Sequence, residues 1–217
     1  MRIAVVDPGS GNLASVRRAL ERVVREQGIA AEITVTTEAA DVLAADRVIL
    51  PGQGAFAACR RGLDALPGMV AALETAVMAD KKPFLGICVG MQLMAERGLE
   101  HGVTPGLGWI GGEIAPMDPR DATGAELPLP QMGWNGLNLD QPGHPLLAGI
   151  APGVHAYFVH SYALSGGRDE ELLASASYGG RVAAVVGRDN LVGTQFHVEK
   201  SSLVGLRILA NFLEWTP

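Results

Sequence analysis

Apolar residues follow two alternating spacings over the first hundred positions. A β-branched run in "RIAVVD" predicts a first strand and ends in the turn "DPGSGN". Residues 12–27 then place Leu13, Val16, Leu20, Val23 and Val24 on one helical face, and Gly28 predicts the stop. "AEITVTT" predicts a second strand and "RVILPG" a third. Helical spacing returns over residues 55–63 and 69–81. Residues 83–87 read as a short buried strand, and 89–96 as a helix with Val89, Leu93 and Met94 apolar. Strands alternating with helices imply a parallel sheet covered on both faces.

After Gly98 the pattern changes. "GLGWIGGEIAPM", "PQMGWNGLNLD", "GVHAYFVHSYAL", "ELLASASYGG", "RVAAVVGRDN" and "LVGTQFHVE" read as short strands joined by turns. They predict an antiparallel layer inserted into, or appended to, the α/β sheet. A last helix is expected over residues 202–215. The Pro-, Asp- and Gly-rich stretch 117–129 is the clearest loop. No linker interrupts the pattern, so residues 1–217 are expected to form one domain.

Composition narrows this picture. With 48% hydrophobic and 18% charged residues among 217, a sizeable core is available. The apolar runs end at Gly or Pro, well short of the ~18 residues of a membrane span. "MRIAVVDPG" reads as a strand and not a signal peptide. Two cysteines in unlike contexts suggest no disulfide framework, and a reduced, cytoplasmic setting is expected. A net charge of −6 argues against nucleic acid as the main partner.

Two features bear on chemistry. Cys88 falls between the strand 83–87 and the following helix, flanked by Gly86 and Gly90. Such a turn presents a nucleophile at the carboxyl end of a sheet. The alternative is a buried thiol, since free cysteine is among the most buried residue types. Cys59, on a helical pattern, reads as such a structural thiol. A cysteine nucleophile needs a base, and the base an orienting group. Among five histidines, His101 and His144 lie in turns and read as solvated, while His155 and His160 flank "AYFV" and read as satisfied sheet histidines. In "GTQFHVEKSS", Glu199 follows His197 by two positions, which in an extended segment puts both on one side. Glu199 can then bond one ring nitrogen and leave the other to take the thiol proton. His-x-Glu also occurs in zinc deaminases, but there a Pro-Cys-x-x-Cys follows, and here no cysteine follows. "DPGSGN" lacks the third glycine of a dinucleotide fingerprint and the Lys-Ser/Thr of a phosphate loop. It reads as a tight turn or a partner-facing loop.

"GICVGMQ", "TQFHVEKS" and "PGQGAF" together resemble the class I (triad) glutamine amidotransferases. Within that family, "DPGSGN", "PQMGWN" and "YFVHSY" resemble the branch that serves histidine biosynthesis, and the likeness covers nearly the whole chain. The resemblance implies Cys88 as nucleophile, His197 as base and Glu199 as the group orienting it. It implies the Val89 amide as one oxyanion donor and the amide of Gln53 or Gly54 as the other. Gly52, Gln92, Ser161 and Tyr162 match positions lining a glutamine pocket. Neither cofactor nor metal is implied. The implied partner is a (β/α)8-barrel cyclase, faced by "DPGSGN" and "PQMGWN" and so by Asn12, Met132, Trp134 and Asn135. It uses the ammonia on a phosphoribulosyl-formimino ribonucleotide, giving imidazole glycerol phosphate and an aminoimidazole carboxamide ribotide. Two positions depart from the family pattern. Val198 replaces a usual Pro, and Gln53 replaces a small apolar residue. A glutaminase serving another synthase, such as the pyridoxal phosphate type, and a non-catalytic subunit on the same fold are the alternatives.

Overall fold

The computed structural model describes residues 1–217. Strand β1 (Arg2–Val6) leads into helix α1 (Leu13–Gln27). Val16, Leu20 and Val23 of α1 are buried, with Leu13 and Val24 half-buried beside them. Its outer face carries the i,i+4 pairs Arg17–Glu21 and Arg22–Glu26, each at 2.7 Å. Exposed pairs of this kind contribute only a few tenths of a kcal/mol each (~0.3–0.5). The helix stops at Gly28, whose left-handed backbone returns its N–H to the carbonyls of Val24 and Arg25.

Next come β2 (Glu32–Thr36), α2 (Ala39–Ala44), β3 (Arg47–Gly52), α3 (Phe56–Ala65), α4 (Met69–Leu73), β4 (Phe84–Cys88) and α5 (Val89–Gln92). The chain continues through β5 (Arg97–Gly98), β6 (Thr104–Pro105), β7 (Glu113–Pro116), β8 (Gln131–Leu139), β9 (His155–His160) and β10 (Tyr162–Ser165). It closes with β11 (Leu172–Ser177), β12 (Arg181–Arg188), β13 (Leu191–Thr194) and α6 (Ser202–Glu214).

The main sheet has nine strands in the order β2-β1-β3-β4-β13-β12-β11-β8-β9. The first five run parallel, and from β13 onward each neighbour is antiparallel. The antiparallel layer is therefore appended to the same sheet. A second sheet, β10-β7-β5-β6, has four strands. Strands β3, β4 and β13 are buried at every position, as expected where helices cover both faces. One core of 53 buried hydrophobic residues joins the layers.

Several expectations need correction. The helix after Cys88 covers only residues 89–92, not 89–96. Met94 N and Ala95 N bond three residues back, to Met91 O and Gln92 O, and Glu96 N turns away to Gly112 O. The apolar residues 93–95 are buried without being helical. The helix expected over 69–81 is α-helical only to Leu73 and widens to a π-helix over Glu74–Ala79. Helix α2, with the single buried residue Val42, is too short to show a period. No single helix is long and apolar enough to cross a membrane.

Candidate active site

Cys88 is the last residue of β4 and is 3% exposed. Its backbone sits at φ 54°, ψ −112°, a conformation that costs a non-glycine residue about 1–3 kcal/mol. Tight packing of bare backbone holds it there. A Cβ on Gly90 would lie 1.7 Å from the Leu50 carbonyl oxygen, and one on Gly86 2.7 Å from the Gly90 carbonyl oxygen. The elbow therefore folds back on β4 because Gly86 lacks a side chain and closes onto β3 because Gly90 does. Gly52 is the register partner of Cys88 on β3, and a Cβ there would meet Gly90 N at 2.8 Å. Val89 opens α5, so its N–H has no partner within the helix.

His197 approaches from the far side of the elbow. The chain leaves β13 after Thr194, and His197 keeps an extended backbone while Val198–Lys200 forms a 3₁₀ turn. Glu199 thus reaches His197 from a turn and not along a straight strand. Its Oε1 lies 2.8 Å from His197 Nδ1. The His197 and Glu199 side chains are 4% and 1% exposed. Ser201 pins this turn: its hydroxyl donates to the His197 carbonyl at 2.7 Å and accepts from Tyr157 N on β9 at 2.9 Å. A Cβ on Gly205 would stand 1.8 Å from the Val198 carbonyl oxygen, so α6 seats directly on the turn.

Gln195, two positions before His197 and wholly buried, is a site residue that the sequence reading missed. Its Nε2 donates to Cys88 Sγ at 3.8 Å, and its Oε1 accepts from Gln92 Nε2 at 3.0 Å. Gln92 Nε2 also donates to the Tyr162 carbonyl at 3.0 Å. The alternation 195, 197, 199 was the available signal.

The electrostatics separate two histidines. Burial disfavours an imidazolium at His197, yet the nearby Cys88 and then Glu199, through hydrogen bonding and charge, outweigh it and raise the pKa to about 9. His160 is 7% exposed, and burial lowers its pKa to about 4 against a hydrogen bond to the Tyr162 carbonyl. Its Nδ1 lies 2.9 Å from that carbonyl and so must donate, leaving Nε2 bare and unpartnered. It is not the fully satisfied sheet histidine expected. His144, expected to be solvated, is half-buried, accepts from Leu146 N at 3.1 Å and packs beside Trp215.

Gln53, Gly54, Cys88, Val89, Gln92, Ser161, Tyr162 and His197 line one cavity of about 310 Å³, joined by Glu100, Pro130, Val159 and His160. Gly52 lies beneath the elbow and Glu199 behind His197, so neither is in the lining. A thiol, a base with a carboxylate behind it and a free amide at a helix start can together perform acyl transfer. Residues 7–215 match the family model of the class-I glutamine amidotransferases. The chain belongs to that family.

Within it, this amidotransferase is similar to the HisH subunits. It is 56% identical over 217 residues to imidazole glycerol phosphate synthase subunit HisH of Rhodospirillum rubrum, the match covering 100% of both chains. The identity to the HisH subunit of Brucella suis biovar 1 is also 56%, over 220 residues and 100% of both chains. A solved structure described as a glutamine amidotransferase shares its fold, with a TM-score of 0.69 at 19% identity over 98% of this chain and 97% of the other.

Met132 and Trp134, expected to face a partner, lie on the strand that pairs with one wall of the amidotransferase cavity. Met132 and Trp134 of β8 are 62% and 51% exposed. Met132 pairs in register with Val159, and Gln131 with His160, so the cavity wall and this exposed strand face share a ladder. Trp134 packs edge-on against Tyr157, and Asn135 Oδ1 accepts from Gln131 Nε2 at 3.1 Å. Asn12, half-buried at the start of α1, makes no side-chain cap.

Proposed function

We propose that residues 1–217 act as one amidotransferase domain, in the cytoplasm, releasing ammonia from glutamine for a (β/α)8-barrel cyclase. The assembly would be an imidazole glycerol phosphate synthase. The cyclase would consume the ammonia in making imidazole glycerol phosphate and an aminoimidazole carboxamide ribotide. The observation that carries the reading is Cys88 on its strained elbow in one cavity with the Glu199-backed His197.

The chemistry follows from these groups. His197, with Glu199 behind it, acts as the base that takes the Cys88 thiol proton. The thiolate attacks the side-chain carboxamide carbon of glutamine, and its C=O electron pair moves to oxygen. That oxyanion is met by the Val89 N–H and by the Gln53 or Gly54 amide. Each such donor is worth about 10²–10³ in rate. The tetrahedral adduct collapses, the C–N bond breaks, and His197 gives its proton to the departing nitrogen. Water then attacks the thioester, with His197 taking its proton and returning it to sulfur as glutamate leaves. Ser161 and Tyr162 hold the substrate from the β9–β10 corner, and Gln92 holds the wall behind it.

Asn12, Met132, Trp134 and Asn135 are assigned to the cyclase-facing side. Their exposed apolar members sit beside the cavity, which suits passage of ammonia away from bulk water, where protonation would make it a poor nucleophile. The test is glutamate release by the chain alone, with the cyclase, and with the cyclase plus its ligand. Cys88→Ala should bind the cyclase and release no glutamate. Turnover should rise with the cyclase, and further with its ligand. Activity in Cys88→Ala overturns the nucleophile, and equal turnover in the three mixtures overturns the coupling.

A further inference from the structure

Cys59 lies on α3 with none of its surface exposed and outside the cavity that holds Cys88. Its sulfur is nevertheless not a plain apolar filler. It donates to the Gln53 carbonyl at 3.3 Å and lies 3.0 Å from Ser10 Oγ. A thiol has one hydrogen. With that hydrogen directed at Gln53, the Ser10 hydroxyl is the donor to sulfur. Burial pushes the Cys59 thiol above its ordinary pKa, with the two hydrogen bonds acting the other way, so the S–H persists at neutral pH.

The result is a continuous chain, Ser10 O–H to Cys59 S–H to the Gln53 carbonyl. It runs from the β1–α1 turn to the segment after β3. Close packing keeps its ends in place. A Cβ on Gly62 of α3 would stand 1.9 Å from the Pro8 carbonyl oxygen, and one on Gly11 3.6 Å from Pro51 Cβ. The turn, α3 and residues 51–54 therefore form one packed unit.

Peptide geometry gives this bond a consequence. In a trans peptide the C=O and N–H point in opposite directions. Cys59 holds the Gln53 carbonyl on the α3 side, so the Gly54 N–H of the same peptide points to the opposite side. Gln53 and Gly54 line the Cys88 cavity and Cys59 does not. Gly54 has φ +92°, a backbone conformation that glycine adopts without side-chain strain, so the residue itself does not fix the peptide.

We propose that Cys59 is a positioning residue for glutamine hydrolysis: its S–H bond to Gln53 sets the 53–54 peptide with its N–H on the cavity side, and Ser10 ties that setting to the β1–α1 turn. The inference rests on the glutaminase reading above. It replaces the view of Cys59 as a merely structural thiol.

The test compares wild type, Cys59→Ala, Cys59→Ser and Ser10→Ala, each bound to the cyclase with its ligand, by kcat, KM for glutamine and Tm. Alanine suits the apolar packing but has no donor. Serine keeps a donor but places a more polar group in the core. Cys59→Ala should lose about tenfold or more in kcat, up to the 10²–10³ of one oxyanion donor, with KM within about twofold. Cys59→Ser should keep kcat within about threefold of wild type even with the lower Tm of the two. Ser10→Ala, on a half-buried turn, should lose kcat in the same direction and by less. Wild-type kcat in Cys59→Ala, or kcat values that simply follow Tm, overturn the proposal, and unchanged kcat in Ser10→Ala removes the link to the turn. If the wild-type complex itself releases no glutamate, the glutaminase reading falls and this one with it. A working wild type matched by Cys59→Ala removes the role of Cys59 alone.

Discussion

Replacing Glu199 by glutamine keeps the shape of the side chain and removes its charge from beside His197 Nδ1. The magnitude at stake can be read from the ring. Raising His197 from 6.5 to about 9 favours the imidazolium by about 3 kcal/mol, net of burial. Cys88 and Glu199 share in that gain. A charge in contact with a titrating group commonly moves it by about 1–3 pH units, so Glu199→Gln should lower the His197 midpoint by at least about one. The pair is buried, so screening by solvent is slight. The assay is an NMR titration of the His197 ring in wild type and variant, repeated with Cys88→Ala to take the thiol out of both. Stability should follow. The folded pKa lies above the unfolded one, so the wild-type contribution is full below pH 6.5 and is lost as pH rises through about 9. In Glu199→Gln that alkaline loss should shrink, and kcat should fall about 10²-fold as His197 becomes a weaker general base. A His197 midpoint unchanged in Glu199→Gln, in both backgrounds, would refute the carboxylate as the group that holds the proton.

His160 carries the opposite linkage. Its pKa is about 4 in the fold, so only the unfolded chain takes the proton between pH 6.5 and 4, and stability should drop by about 3 kcal/mol as pH falls across that window. His160→Asn, which retains an N–H for the Tyr162 carbonyl, should flatten the acid limb in urea melts, and an identical limb counts against the assignment. Cys88→Gly should be more stable than Cys88→Ala by about 1 kcal/mol in denaturant, because glycine accepts φ 54° without strain. Equal stability would mean the elbow is not strained. Trp134→Ala removes a side chain 51% exposed and should weaken cyclase binding by about 1–2 kcal/mol with Tm nearly unchanged, as titration calorimetry and melting would show. A loss of Tm without loss of affinity would place Trp134 in the fold and not at the interface.

Much of the architecture was legible because it is written in local periodicity. Val16, Leu20 and Val23 mark the buried face of α1, and unbroken apolar runs mark β3 and β4 as covered on both sides. Cys88 between Gly86 and Gly90 announced a sharp turn, since only bare backbone lets three segments close to contact. The His197–Glu199 contact was also expected, though from an extended strand and not the 3₁₀ turn that makes it. The π-helical end of α4 and the early end of α5 were hidden, because long-range bonds such as Glu96 N to Gly112 O override local propensity.

What the chain determined alone is therefore the order of elements and the types of group able to do acyl chemistry. Tertiary structure decided which groups meet and in what state. Gln195 touches Cys88 only because β13 lies beside β4, and Ser201 reaches Tyr157 only because α6 docks under β9. The His160 pKa is lowered and the His197 pKa raised although both are histidines lining the same cavity, because burial prevails at one and is outweighed at the other by a thiol and a carboxylate. Cys59 reads as a core residue in sequence, and only packing of α3 against Pro8 brings its hydrogen to the Gln53 carbonyl. Periodicity is a property of neighbours along the chain, whereas proton affinity and hydrogen-bond partners depend on neighbours across space.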